Sequence, residues 1–591
     1  MVGAVVPRRR HRALPYVLGA VVLLCMVLAA AVWVGLRAFL VKDELEGMQS
    51  AASQLTDAVA AGDLHELGVA NEAMTTHAKH AVDLSGDPVW ALAQSLPLIG
   101  PNLSAVRTTA LAVHTTGVEV VTPLLRLASS SDSATGMSQW SSAFADDGAI
   151  AQAAAALHRA ADSMATVPAD ELVPPLASGV RQLNELLTTA DDTLGPLASS
   201  AAIIPQLIDP ASPKTILVML QNPAELRTGG GITGTFIQLR SSAGGIQMQS
   251  IRDSTAFPYR AEPIAPVPSA LSSLYGDVVG RFVQDTSIPA DFTLTARLAS
   301  SWWTSHGGAQ PDAVVSIDPL VLQAILRVSG PLALPDGSEL SADNLVDRLL
   351  VEPYMSMTSQ QQGVFFLHAT QALAKRLFVT GLSPVQWVQA LMTPVQDGRI
   401  SAWSADAKTQ KAIERGPLGG PLVRQKLAGT GAYAVYFNDN TGGKMASYMT
   451  TKITDASGTC RADGKRTVQI AVSLTSTAPK NAGAMPISMT GGGLWGVGAG
   501  DIGMNVSVAA PKGSYFGGVT VDGVITPSVN VDAEGHPTSI AHVNLQPGET
   551  NVIAFQFIVT GHHDVSIVHT PMLSDPQVVS EPLRCSARNK L

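Results

Sequence analysis

The sequence is poor in charge. Asp, Glu, Lys and Arg make up 14% of its 591 residues, where about a quarter is usual for a soluble protein. Hydrophobic residues make up 46%. That combination excludes an intrinsically disordered chain, which needs low hydrophobicity and high net charge. An excess of positive charge is also missing. Thirty-eight Lys and Arg face 47 Asp and Glu, a net charge of −9, which argues against a general nucleic-acid binder. Cysteine is scarce, at three residues. Long apolar runs are scarce as well. Mean hydropathy is +0.21, yet only residues 13–36, ALPYVLGAVVLLCMVLAAAVWVGL, stay uncharged over a length that crosses a hydrocarbon core of about 30 Å. At roughly 150 residues per domain, the length sets an expectation of about four structural units.

Arg8, Arg9, Arg10 and Arg12 precede the run, whereas Arg37 and Lys42 follow it and soon give way to Asp43, Glu44 and Glu46. The positive-inside rule therefore predicts a cytoplasmic tail over residues 1–12, one transmembrane helix over 13–36 and an extracytoplasmic bulk at the plasma membrane. Small residues at Ala29–Ala31 would suit signal-peptide cleavage, but the apolar run continues through Val32, Trp33 and Val34. It is longer than a signal-peptide core, which favours a retained anchor. Cys25 lies inside the span with no lipidation motif around it. Cys460 and Cys585 both fall in the C-terminal segment. Outside the membrane such a pair reads as a disulfide, with metal ligation as the alternative.

Residues 41–200 are rich in Ala and Leu, with apolar residues at helical spacing in stretches such as 55–74 and 156–167. Breaks fall at Gly86-Asp87-Pro88, Gly100-Pro101 and Pro174-Pro175. The expectation is an antiparallel helical bundle. From Pro205 the texture changes. TILVML (215–220), TFIQL (235–239) and AVVSI (313–317) have strand character, with helical patterns at 320–329 and 363–378. Such alternation predicts a central α/β domain over 205–425. Period-two segments at 468–474, 505–510, 551–557 and 565–570 then predict a C-terminal β-sandwich of immunoglobulin-like character over 430–588.

Several motifs fail on context. Gly229, Gly231 and Gly234 satisfy GxGxxG, but strand-like TFIQL follows where a dinucleotide fold needs a helix N-terminus. Gly443-Lys444 lacks the remainder of a P-loop, and His65-Glu66 is followed by Val69 where a zinc protease helix needs a second His. His562, His563 and His569 read better as strand-surface residues than as metal ligands. The segment QNPAELRTGGGITGTF (221–236) is different. Glu225 and Arg227 lead into Gly229, Gly230 and Gly231, and consecutive glycines suit a loop that receives a ligand. Arg252, Asp253, Arg260, Asp285, Asp291 and Arg297 follow within about eighty residues of this charge-poor chain. Guanidinium forks beside carboxylates suit a pyrophosphate held with a divalent cation. Ordinary salt bridges tying loops to a domain suit the same residues.

Asn222-x-Ala224-Glu225-Leu226-Arg227 followed by Gly229-Gly230 occurs together with residues 88–107, 312–332, WSADAKTQ (403–410) and DNTGGKMASYM (439–449). This combination resembles the bacterial domain of unknown function 4012 family, membrane-anchored exported proteins of actinobacteria, from about residue 45 onward. The resemblance implies an association with surface polysaccharides and names no activity. The order of features in 214–378 is more distantly similar to the LytR-CpsA-Psr phosphotransferases. Those enzymes move a glycan phosphate from a polyprenyl-pyrophosphate carrier onto the cell wall. Ser250-Ile251-Arg252-Asp253 matches a family motif without its proline, and Gly330-Pro331 replaces a glycine pair. Where the family has an arginine-rich helix start, this chain offers Arg348 and Gln360–Gln362.

Two functions follow as expectations. In the first, an envelope protein binds or transfers a polyprenyl-pyrophosphate-linked glycan, with cell-wall polymers as further partners. Arg227, Arg252 and Asp253 would be catalytic, Glu225, Gly229, Gly230, Arg260, Asp291 and Arg297 would bind substrate, and Asp253 and Asp285 would hold Mg²⁺. In the second, the chain is a non-catalytic envelope scaffold, and the glycines only build a tight turn.

Overall fold

The computed structural model describes residues 14–582 apart from 62, 130–147, 202, 204–205, 207–211, 243–244, 379–381, 383, 459–460, 462, 464 and 561–563. The described residues form two compact units, 14–129 with 148–195, and 196–582.

The first unit is helical. Helix α1, Leu14–Ala61, runs without a break through the apolar segment and 25 residues beyond it. No proline falls between Leu36 and Ala61, and the one glycine there, Gly47, faces the His77 ring so closely that a side chain would strike it. The sequence boundary between anchor and bundle is therefore absent from the backbone. Leu23, Leu24, Met26, Leu28 and Val32 all point outward, the arrangement a lipid-facing helix needs. Asp63 caps α2, Leu64–Leu84, and Asp87 caps α3, Pro88–Ala93, each by accepting two backbone N–H groups. Then come α4 (Gly100–Thr115), α5 (Thr122–Ser129), α6 (Ala149–Ala165) and α7 (Pro174–Ala201). Their core is built from small side chains, Ala105, Ala153, Ala156 and Ala160 among them, which lets helix axes approach closely.

The second unit contains a mixed sheet and two β-rich sheets. Strands β1 (Thr215–Asn222), β2 (Ile232–Ser242), β3 (Gly245–Asp253), β4 (Ala313–Ile317) and β7 (Ser401–Ser404) assemble in the order β3-β2-β1-β4-β7. Only β1 and β4 pair in parallel. Between β4 and β7 lies a small hairpin, β5 (Leu332–Ala333) and β6 (Glu339–Leu340). Leu217 and Met219 pack against Phe292, Trp302 and Trp303 of α8, Phe292–Ser305. Ile216 and Val218 belong to a separate cluster, as strand alternation requires. Beyond β4, α9 (Pro319–Ser329), α10 (Leu345–Leu350) and α11 (Ser359–Phe378) share another core.

The remaining strands are β8 (Ala432–Asp439), β9 (Met449–Gly458), β10 (Arg466–Ser476), β11 (Ile502–Ala509), β12 (Tyr515–Val521) and β13 (Val524–Ile525), then β14 (Val529–Ala533), β15 (His536–Leu545), β16 (Thr550–Val559), β17 (Ser566–His569) and β18 (Gln577–Pro582). They form sheets ordered β13-β12-β16-β10-β9-β18 and β14-β15-β11-β8-β17. Val435, Phe437, Val506, Ile470, Phe555 and Phe557 from both sheets meet in one core. Two pairs at the sheet edges, β17–β8 and β18–β9, are parallel. This departs from a wholly antiparallel immunoglobulin pattern. The mixed sheet and the β-rich part fall in one compact unit. Leu226, in the loop between β1 and β2, is 1% exposed and sits in the core of the paired β-sheets.

Pairing of β18 with β9 runs from Gln577 opposite Lys452 to Pro582 opposite Ser457. Cys585 and Cys460, each three residues further along, lie outside the described residues. So do His562 and His563. Among the described residues no three His, Cys, Asp or Glu side chains gather as a metal site.

Candidate functional site

The loop 223–231 organises the buried charge of this unit. Its geometry begins with Asn222, whose side-chain oxygen accepts from Ala224 N–H at 3.0 Å while its carbonyl accepts from Glu225 N–H at 3.1 Å. The chain reverses and Ile232 N–H returns to the Glu225 carbonyl at 2.8 Å. Glycine is required at Gly231, where a Cβ would lie 2.3 Å from the Asn222 carbonyl, and at Gly230, whose φ is +129°. Gly229 N–H donates to the Ser287 carbonyl at 3.0 Å. The three glycines thus fold the loop against its own strand.

The tip of the loop crosses into the β-rich part. Asp439 N–H donates to the Leu226 carbonyl at 2.9 Å, and Thr228 N–H donates to the Asn438 side chain at 3.0 Å. Here Arg227 is 8% exposed. Its Nε donates to Asp285 Oδ1 at 2.7 Å, Nη2 to Glu225 Oε1 at 3.3 Å, and Nη1 to the carbonyls of Leu226 and Asp439 at 2.8 and 3.2 Å. Glu225 also receives Lys444 Nζ, which lies 5.3 Å from the centre of the Tyr354 ring. Two cations and three acids share one buried space.

Burial works against every charge in this network, so the ion pairs decide which survive. Burial opposes ionised Glu225, but Lys444 and Arg227 hold its carboxyl below the usual range. Burial pushes the Asp285 carboxyl up, and Arg227 pulls it back. Asp439 is raised to about 7 by burial and by Glu225, against the pull of Arg227. Asp439, coupled to its neighbours, is thus the acid placed to take up a proton near neutrality.

Glu225, Arg227 and Asp285 therefore meet, but they face one another. The other residues singled out in sequence do not join them. Arg252 donates to the His306 carbonyl and lies 4.7 Å over the Trp303 ring. Asp253, its neighbour on β3, points to the opposite face of the sheet. There it borders a cavity of about 110 Å³ beside Leu322, Leu349 and Ala369 and caps a 3-10 turn through Thr255 N–H at 2.8 Å. Asp291 caps α8 through Thr293 N–H at 2.9 Å. Arg260 and Arg297 are exposed. Among the described residues, none of Arg252, Arg260 and Arg297 forms an ion pair. The carboxylates considered for Mg²⁺ do not fit one ion, since Asp285 is committed to Arg227 and Asp253 serves a backbone cap elsewhere. The constellation expected from charge density is split by strand alternation and by burial.

Sequence reading also missed residues. Asp439 and Lys444 stand in DNTGGKM, more than two hundred positions beyond their partners, and no local pattern links the two segments. Arg399, 5% exposed, binds Asp318 Oδ2 at 2.9 Å and the Met572 carbonyl at 2.8 Å. Its neighbours in sequence gave no sign of this.

The geometry defines a class: a chain with one apolar N-terminal helix, a helical unit, and a mixed sheet docked onto β-rich sheets through a buried ionic loop. Residues 211–354 match the model of a family described as protein of unknown function (DUF4012). This segment contains β1, the docking loop and α8, and it is the family that the Asn222–Gly230 motif resembles. No curated protein matches the chain. Among solved structures it is similar to the Lin1025 protein from Listeria innocua, with 9% identity and a TM-score of 0.22 over 34% of this chain and 80% of that one. A likeness of that size carries no conclusion about fold or activity.

Proposed function

We propose that this protein is a membrane-anchored, extracytoplasmic scaffold of the cell envelope, which binds partners and does not transfer phosphoryl groups. The observation that carries this reading is the state of Arg227. Its donors go to Asp285, Glu225 and two backbone carbonyls, and the glycines beside it close a tight turn. A phosphotransferase site needs guanidinium groups free to meet developing charge. Anchoring is supported by α1, the one described helix long and apolar enough to cross a membrane. Outward placement of the bulk rests on the arginines at 8–12.

The test is a transfer assay with the full-length chain in detergent and a polyprenyl-pyrophosphate disaccharide. The scaffold reading expects no release of polyprenyl phosphate, and Arg252→Ala should retain whatever binding the wild type shows. Turnover by the wild type that Arg252→Ala abolishes would restore the glycan-transfer reading.

Export has its own test. Cys460 and Cys585 are the pair the sequence offers for an extracytoplasmic disulfide. Protein recovered from membranes of an exporting host should yield one Cys460–Cys585 crosslinked peptide by non-reducing mass spectrometry, lost on reduction. Recovery of both cysteines as free thiols would count against extracytoplasmic placement.

A further inference from the structure

A cavity of about 390 Å³ opens at one end of the β-rich sheets, lined by the turn before β8, the loop between β11 and β12, the start of β15 and the end of β16. A second cavity of about 220 Å³ adjoins it, and Gln425 and His536 line both. The volume of the first lies in the range of small-ligand sites.

Its interior is unusual in what it leaves unbonded. Gln425 is 1% exposed, and its Nε2 donates to the Ala432 and Ala509 carbonyls at 3.1 and 2.9 Å. Those bonds fix the amide, and Oε1 is left buried without a hydrogen-bond partner. His536 is buried in the same wall. Its Nδ1 lies 2.9 Å from the Ala510 carbonyl, which only accepts, so Nδ1 carries the proton. Nε2 is then the second buried atom without a partner. Burial, with Lys512 and Lys426 nearby, lowers the His536 pKa and leaves the ring neutral, so Nε2 is an acceptor. The Tyr433 hydroxyl, 1% exposed and beside Ser514, also lacks a well-formed bond. A buried polar atom without a partner is costly, and natural proteins leave few of them.

The mouth of the cavity has the opposite need. Lys426 and Lys512 line it, both are exposed, and neither belongs to an ion pair among the described residues. Lys512 lies along Gly535, where an added Cβ would come 3.2 Å from its Nζ. The nearby acids, Asp532 and Glu534, line the adjoining cavity. The interior therefore calls for hydrogen donors and the mouth for an anion. Bare acceptors inside exclude an orientation with the anion innermost. Val468 and Val559 supply apolar wall.

We propose that this cavity binds an anionic sugar, its hydroxyl groups donating to Gln425 Oε1 and His536 Nε2 and its acidic group held at Lys426 and Lys512. The proposal goes beyond the scaffold reading, which names no ligand. Calorimetric titration of the full-length chain in detergent with sodium glucuronate should show saturable binding, with glucose at least about tenfold weaker. Replacing both lysines, Lys426→Ala with Lys512→Ala, should weaken glucuronate by about tenfold or more while leaving the unfolding midpoint unchanged. Thr560→Trp, at an exposed rim position, should block the cavity and abolish binding without unfolding the protein. Absence of saturable binding by glucuronate and by a glucuronate oligomer overturns the proposal. So does equal affinity for glucose, or wild-type affinity in the double-lysine variant.

Discussion

Arg227→Ala is expected to destabilise the second unit by about 3–5 kcal/mol, the usual cost of removing one partner from a buried ionic network. The substitution takes four hydrogen bonds from the docking loop. More important is what remains. Glu225, Asp285 and Asp439 would share the space with Lys444 as the sole cation. At least one further acid would have to be protonated or hydrated, and either outcome opens the seam at Leu226. Hydrogen exchange at β1 and β8 should accelerate together, since the loop ties one to the other. The partner variant Asp285→Asn should be strongly non-additive with Arg227→Ala, because the two side chains share one bond. An Arg227→Ala protein with the wild-type denaturant midpoint would show that the network carries no stability. Residue 227 would then be open to a ligand role again.

Arg399→Ala should cost a similar amount, about 3–5 kcal/mol, by a different route. Asp318 divides its carboxylate. Oδ1 accepts from Leu320 and Val321 N–H at the start of α9, at 2.9 and 3.2 Å, and Oδ2 takes Arg399. The guanidinium also reaches the Met572 carbonyl and, at 3.1 Å, Asp575. One side chain thus holds a helix N-terminus and the segment leading to β18. Burial pushes Asp318 up, and Arg399, followed by the Val321 and Leu320 N–H groups, opposes it. Without Arg399, Asp318 would lose its counter-charge in a site where it is 2% exposed. Limited proteolysis should then cut near Met572 before the rest of the unit opens, alongside a lowered midpoint. Arg399→Lys should fall between wild type and Arg399→Ala, since an ammonium keeps the charge and loses the fork. Equal protease resistance in wild type and Arg399→Ala would sink the claim.

Much of the local structure was legible. Proline and aspartate at 87–88 and at 318–319 mark helix starts because a carboxylate satisfies N–H groups that the helix leaves free. Alternation at 468–474 and 551–557 marks neighbouring strands of one sheet. In a chain with 14% charged residues, Glu225 and Arg227 lie in a buried network with Asp285, Asp439 and Lys444. Paired and ligand-seeking arginines look alike in a sequence until their partners are known. Arg252 and Asp253 are adjacent on a segment with strand character, and alternation sends them to opposite sides of the sheet.

The sequence by itself determined one apolar span, an Ala-rich helical region, strands after Pro205 and a loop that only glycine could close. Each of these depends on periodicity, length or backbone freedom, which act over a few residues. Only the tertiary structure decided that Arg227 meets Asp439 and Glu225 meets Lys444, that Leu226 enters the core of the β-rich sheets, and that Gln425 and His536 keep unbonded acceptors where two cavities adjoin. A buried charge or polar atom is stabilised by what comes within about 3 Å of it, and those neighbours are set by the packing of segments far apart in the chain.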